Sequence, residues 1–226
     1  MLTYLRNIFY IYIMTYPDLE LEKKLWKKGY RIVVGIDEAG RGPLAGPVSA
    51  GAVVVENENQ VVDIVRDSKK MSERQRNEAF DLIIKKSTAY GVGLVSSQEI
   101  DRIGIQDAVL KAMKIALEVV EQKLGKKADY LIVDGTNVSL ISNYKMDRIK
   151  AGDLAHYSIA AGSVLAKVTR DRIMYDYAKK YPEYGFEKHV GYGTKMHIEA
   201  LNRIGPCKIH RKSFKPVGKL VYNPNQ

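Results

Sequence analysis

The stretch Tyr30-Arg31-Ile32-Val33-Val34-Gly35-Ile36-Asp37-Glu38-Ala39-Gly40-Arg41-Gly42-Pro43-Leu44-Ala45-Gly46 passes from an apolar, β-branched run into a loop dense in glycine. The first part predicts a strand over Tyr30–Asp37 that delivers two acids at its end. The glycines behind it let main chain approach a ligand closely. A second apolar run, Tyr130–Val133, ends in the same way at Asp134-Gly135, and Gly152-Asp153 precedes a long helical segment. In an open α/β sheet, ligand sites gather at the ends of strands. Asp37, Glu38, Asp134 and Asp153 therefore form a candidate cage for a hard divalent cation, Mg²⁺ or Mn²⁺. Carboxylates brought so close repel one another unless a cation sits among them. Each acid also has an ordinary reading: a solvated loop pair, an Asp-Gly turn, and a helix N-cap for Asp153.

Outward from these breaks, periodicity predicts a short charged helix over Asp18–Lys28 and a second strand over Pro47–Val55. Ser72 and Gln75 make a capping-box start for a helix to about Lys85, and Tyr90–Val95 reads as a strand. Gln106–Leu124 carries Val109, Met113, Ala116, Leu117, Val120 and Leu124 on one face, the pattern of an amphipathic helix. Met146–Lys150 reads as a weaker strand, Leu154–Tyr181 as a long helix packed closely on the sheet, and Thr194–Arg203 as the last helix. Beyond Gly205 the chain reads as basic and irregular. The order predicts one α/β domain with a mixed central sheet flanked by helices. The expected division is an N-terminal extension over 1–19, a catalytic domain over 20–218 and a tail over 219–226. Leu2–Tyr16 is apolar but interrupted by Arg6 and Asn7 and too short to span a bilayer. Met14 is an alternative start.

With 226 residues and 46% hydrophobic content the chain can bury a sizeable core. A formal net charge of +10 points to a polyanionic partner. The single cysteine, Cys207, excludes a disulfide framework and a Cys-rich zinc site. The composition fits a reducing cytoplasm, and no membrane partner is expected. Asn137-Val138-Ser139 matches a glycosylation sequon without an export signal to support it. Gly40–Gly46 departs from the dinucleotide fingerprint because its third glycine comes one residue late and a strand, not a helix, follows. Gly191-Tyr192-Gly193-Thr194-Lys195 lacks the phosphate-loop spacing. The four histidines show no zinc spacing; His156 lies near enough to Asp153 to support it. Basic groups at Lys69-Lys70, Lys145, Arg148, Lys150, Lys167, Arg170, Lys188, Lys195 and Lys208–Lys215 read individually as surface charge. Tyr192, in a Gly-flanked loop, can stack on a sugar or base.

Gly35–Val48, Asp67-Ser68-Lys69-Lys70, Val133-Asp134-Gly135, Lys167–Arg172, Lys188–Thr194 and His210-Arg211-Lys212-Ser213-Phe214 together resemble, in order and spacing, the motifs of bacterial ribonuclease HII. The resemblance covers about residues 20–218. It implies a ribonuclease H-like fold and an endonuclease that cuts the RNA strand of RNA–DNA hybrids and incises at single ribonucleotides in duplex DNA. The expected products carry 5′-phosphate and 3′-hydroxyl ends, and the working unit is expected to be a monomer. It further implies that Asp37, Glu38, Asp134 and Asp153 are the catalytic, metal-holding quartet of a two-metal mechanism. Gly40, Arg41 and Gly42 would sense the 2′-hydroxyl, the group that tells RNA from DNA. Tyr192 would stack on the neighbouring deoxyribose, and Ser68 and Lys69 would meet the substrate backbone. Ala155 stands where relatives usually carry Lys or Arg, and Gly162 where Ala is commoner. The related type with an added N-terminal substrate-binding domain is disfavoured by the short stretch before Asp37. Two other readings stay open here. A resolvase-like DNA nuclease of the same fold would lack the Gly-Arg-Gly loop and Tyr192. A non-catalytic basic binding module would leave the acids unexplained.

Overall fold

The structure, a computed structural model, describes residues 16–135 and 143–221. Most of the N-terminal extension, the sequon at 137–139 and the final residues 222–226 lie outside the described residues.

Five strands form one mixed sheet in the order β3-β2-β1-β4-β5. They are β1 (Val33–Ala39), β2 (Val48–Val54), β3 (Ala89–Val95), β4 (Tyr130–Asp134) and β5 (Met146–Ile149). β1 runs antiparallel to β2 and parallel to β4, and β4 runs parallel to β5. The ends of β1 and β4 therefore open at the same edge. Ile36 sits opposite Val133. One step further along the two strands come Asp37 and Asp134, so register alone brings these acids together.

Helices cover both faces. α1 (Glu20–Lys27) and α2 (Glu73–Lys86) precede α3 (Ser97–Ile103) and α4 (Ile105–Leu124). α2 starts at the expected capping box of Ser72 with Gln75. α4 buries the expected stripe, with Val109, Met113, Ala116, Leu117 and Val120 against the sheet. Each of the Val, Met and Leu side chains contributes about 1.5–3 kcal/mol by leaving water. α5 (Tyr157–Lys180) crosses the other face, and α6 (Phe186–His189), α7 (Lys195–Ile204) and α8 (Val217–Val221) close the end of the molecule. α5 lies so near β2 that a Cβ on Gly162 would stand 2.7 Å from the Gly51 carbonyl oxygen. Glycine at 162 is thus matched to the close packing of helix on sheet.

Two expectations need correction, and one helix was not expected. Asp153 does not cap α5: it lies in a separate 3₁₀ turn, Gly152–Leu154, and the helix begins only after His156. The segment after Gly205 is not simply irregular. His210 bridges to Ala45, Arg211 is fully buried, and α8 follows. Helix α3 was not anticipated: Ser96 caps it by accepting from the Glu99 N–H three residues on, but the segment is too short to show a period.

Candidate active site

Asp37 ends the buried part of β1, is 5% exposed, and takes a hydrogen bond on Oδ1 from the Glu38 N–H at 2.7 Å. Asp134, the last residue of β4, accepts from the Gly152 N–H at 3.0 Å, which ties the 3₁₀ turn to the strand end. That turn presents the buried Asp153. Ala151 before it takes φ +55, a left-handed conformation that costs a non-glycine residue about 1–2 kcal/mol. The strain buys the reversal that aims Asp153 at the strand ends. Carboxylate oxygens of Asp37, Asp134 and Asp153 lie within 4.8 Å of one another. Oxygen-only donors at that spacing fit a hard divalent ion.

Glu38 stands apart from this trio. Successive strand residues face opposite ways, and the Glu38 carboxylate pairs instead with Arg41 Nη1 at 3.1 Å. It still feels the cluster: burial and then Asp134 push its pKa up against the pull of Arg41. Burial first, then Glu38 and Asp134, hold the Asp37 carboxyl well above the usual carboxylate range. Burial and Asp134 raise Asp153 as well. Partial burial depresses Lys69, but Asp153, Asp37, Asp67 and Asp134 outweigh it and leave its pKa raised. In the metal-free protein the Lys69 ammonium is therefore held in the field of the acids.

Beside the acids runs a groove of about 190 Å³, lined by Gly40, Arg41, Gly42, Ser68, Lys69 and Tyr192 together with Glu38, Ser163 and Lys167. All six residues named from sequence as substrate contacts thus share one surface. Ser163 and Lys167 were not singled out for this site. Their i, i+4 spacing, continued by Arg170 at i+7, marks one face of α5 and was the available signal. Ser163 also bonds to Ser68, with the hydroxyl oxygens 3.1 Å apart. Lys167 pairs with Asp171 at 2.8 Å, and burial lowers its pKa.

Two basic residues read as surface charge are buried instead. Arg170 and Arg211 lie under the loop after β1, 1% and 0% exposed. Gly40 takes φ +92 there, and a Cβ on it would collide with the Arg170 side chain. Tyr192, 43% exposed, has its ring centroid 5.9 Å from the Arg170 guanidinium carbon.

The histidines, too, were missed as a group. His189 and His197 stack with centroids 4.5 Å apart, and His197 Nε2 lies 3.0 Å from His210 Nε2. The Cys207 N–H donates to His210 Nδ1 at 2.9 Å, so the His210 proton sits on Nε2 and is given to His197. His197 must then carry its own proton on Nδ1, where it donates to the Tyr192 carbonyl at 2.9 Å. Burial, with repulsion among the rings, pushes His197 and His210 down to about 4 and keeps this neutral relay intact. The relay ends on the Tyr192 carbonyl and so ties that loop to α7. His156 does not support Asp153: its ring lies near Glu22, and its buried Nδ1 has no hydrogen-bond partner among the described residues.

A sheet with parallel strands ending in clustered acids, and a basic groove beside them, defines a metal-dependent phosphodiesterase of ribonuclease H-like architecture. Residues 34–217 match the family model Ribonuclease HII. The ribonuclease HII of Caldicellulosiruptor bescii is 49% identical over 195 residues, covering 86% of this chain and 92% of its own. That of Acholeplasma laidlawii is 47% identical over 208 residues, 92% and 99% of the two chains. Among solved structures, ribonuclease H2 from Pyrococcus horikoshii OT3 superposes with a TM-score of 0.71 at 29% identity, over 83% of this chain and 96% of that one. The chain belongs to the ribonuclease HII family. It is a metal-dependent endoribonuclease acting on the RNA strand of RNA–DNA hybrids. Among the described residues no helix is long and apolar enough to cross a membrane.

Proposed function

We propose that this enzyme also incises duplex DNA at single embedded ribonucleotides, leaving 5′-phosphate and 3′-hydroxyl ends, and so serves to remove ribonucleotides from DNA in the cytoplasm as a monomer. The observation that carries the reading is the trio Asp37, Asp134 and Asp153 set beside a groove that holds both the Gly40–Gly42 loop and Tyr192. Asp37, Asp134 and Asp153 would hold the metal, Mg²⁺ or Mn²⁺, with Glu38 as the fourth acid once Arg41 releases it. Bound there, a pair of divalent ions supplies activation of the attacking water and stabilisation of the leaving 3′-oxygen. The protein's own groups do the selecting. Gly40–Gly42 brings main chain to the 2′-hydroxyl, Tyr192 offers a face for the adjoining deoxyribose, and Ser68 and Lys69 steady the backbone. Family membership favours this reading over the resolvase-like and non-catalytic ones, neither of which needs the loop and the acids together.

The test is a gel assay with Mg²⁺ or Mn²⁺, using a duplex holding one ribonucleotide, a continuous hybrid and an all-DNA duplex. Cutting is expected on the first two alone, none in chelator and little with Ca²⁺. Asp134→Asn should abolish turnover while duplex affinity holds or rises, because a negative charge near the phosphates is gone. Hybrid cleavage without any incision at the lone ribonucleotide would overturn the proposal.

A further inference from the structure

The loop after β1 is held from below by main-chain acceptors turned inward. Arg211 donates from Nη2 to the carbonyls of Gly40 (2.7 Å) and Pro47 (3.0 Å), from Nη1 to that of Arg41 (2.9 Å), and from Nε to that of Gly46 (3.0 Å). Arg170 adds Nε to Pro47 (3.0 Å) and Nη2 to Ala45 (3.1 Å). Two guanidinium groups buried together repel each other, and burying charge is costly in itself. Closing a loop does not require that arrangement.

Its geometric effect lies on the other side of the peptides. In a trans peptide the carbonyl and the N–H of the next residue point in opposite directions. With the Gly40 and Arg41 carbonyls aimed down at Arg211, the N–H groups of Arg41 and Gly42 are turned up. Both residues are exposed and line the groove. Among the described residues, neither N–H donates a main-chain hydrogen bond. The Phe214 ring, 5.0 Å from the Arg211 guanidinium carbon, seats the clamp from behind.

We propose that Arg211 is a specificity-positioning residue: by fixing the Gly40 and Arg41 carbonyls, it presents the Arg41 and Gly42 N–H groups as a preset pair of donors to the 2′-oxygen of the ribonucleotide. The inference rests on the ribonucleotide-incision reading above.

The experiment measures binding in chelator, by fluorescence anisotropy of the full-length protein on two labelled duplexes, one all DNA and one with a single ribonucleotide. The wild type should prefer the ribonucleotide duplex. Arg211→Lys keeps the charge but cannot reach four carbonyls at once. It should lower that preference about tenfold, the scale of one well-aligned hydrogen bond, and leave all-DNA affinity unchanged. A folded Arg211→Lys protein that melts earlier yet keeps the full preference would overturn the proposal, since Arg211 would then be structural only. If Arg211→Lys does not fold, Phe214→Leu removes the seat while keeping the guanidinium. A reduced preference there supports the proposal, and an unchanged one overturns it. A wild type with no preference would instead remove the ribonucleotide reading itself, so the two failures are distinguishable.

Discussion

Asp37 sits where burial and two like charges meet, and its behaviour follows from that placement. With its folded pKa raised above the ordinary 3.8, its contribution to stability is present at low pH and is lost as pH rises through the folded value. Above the ordinary carboxylate range the metal-free protein therefore bears a cost at this position that a neutral side chain would not. Asp37→Asn keeps an oxygen for the Glu38 N–H and removes the charge. It should raise the metal-free melting temperature, while turnover disappears; a melt at pH 7 with chelator checks it. Protons and metal compete for the same oxygens, so the metal concentration for half-maximal rate should climb as pH falls. A titration of rate against metal at several pH values reads this directly. Tyr192 separates two substrates. Its loss to Ala should reduce incision at a lone ribonucleotide far more than cleavage of a continuous hybrid, because only the junction depends on a single 2′-hydroxyl plus stacking worth about 1–3 kcal/mol. Equal losses on both would make Tyr192 a packing residue.

At the level of elements, the start of α5 is capped from outside the helix. His156 supplies no side-chain cap. The buried Glu22 of α1 does so in its place, accepting from the Ser158 N–H at 3.1 Å and from its hydroxyl at 2.6 Å. Asp18 pairs with Ala155 and Tyr157 alongside, so α1 braces the turn that carries Asp153, although it lies ahead of the matched residues 34–217. Glu22→Ala leaves two buried donors unmet and should cost about 2–3 kcal/mol. Glu22→Gln keeps an acceptor, and burial already favours the uncharged carboxyl there, so it should stay within about 1 kcal/mol; denaturant melts of the two variants decide. This brace was not legible in sequence, since nothing local joins residue 22 to residue 158. What was legible was whatever depends on short period: β1 and β4 with acids at their ends, the stripe of α4, the capping box of α2. The carboxylate trio could be foreseen because strand ends converge by topology. The two buried arginines and the histidine relay could not, because each is decided by packing between distant segments that reverses the usual exposure of a charged or polar side chain, and Glu38's pairing with Arg41, three residues on, depends on how the loop turns.

Over the whole molecule, the net charge of +10 gives duplex binding a strong dependence on salt. Removing one phosphate contact should flatten the slope of log affinity against log salt by about one unit. Lys69→Ala should do this and weaken lone-ribonucleotide and continuous-hybrid substrates alike. A salt series in which the slope stays unchanged would show that Lys69 serves only to balance the acids. The span of the Arg211 clamp adds a matter of timing. Gly40 and Arg211 are separated by 171 positions, and a ribosome adding about 5–20 residues per second needs roughly 10–30 s to make the second after the first. Asp37, Asp134 and Asp153 are all synthesised within that interval. A nascent chain thus acquires its full set of acids well before the residue that orders the reading loop. The acids and the residue that holds the loop are made at different moments, so a chain stopped between them would carry the first without the second.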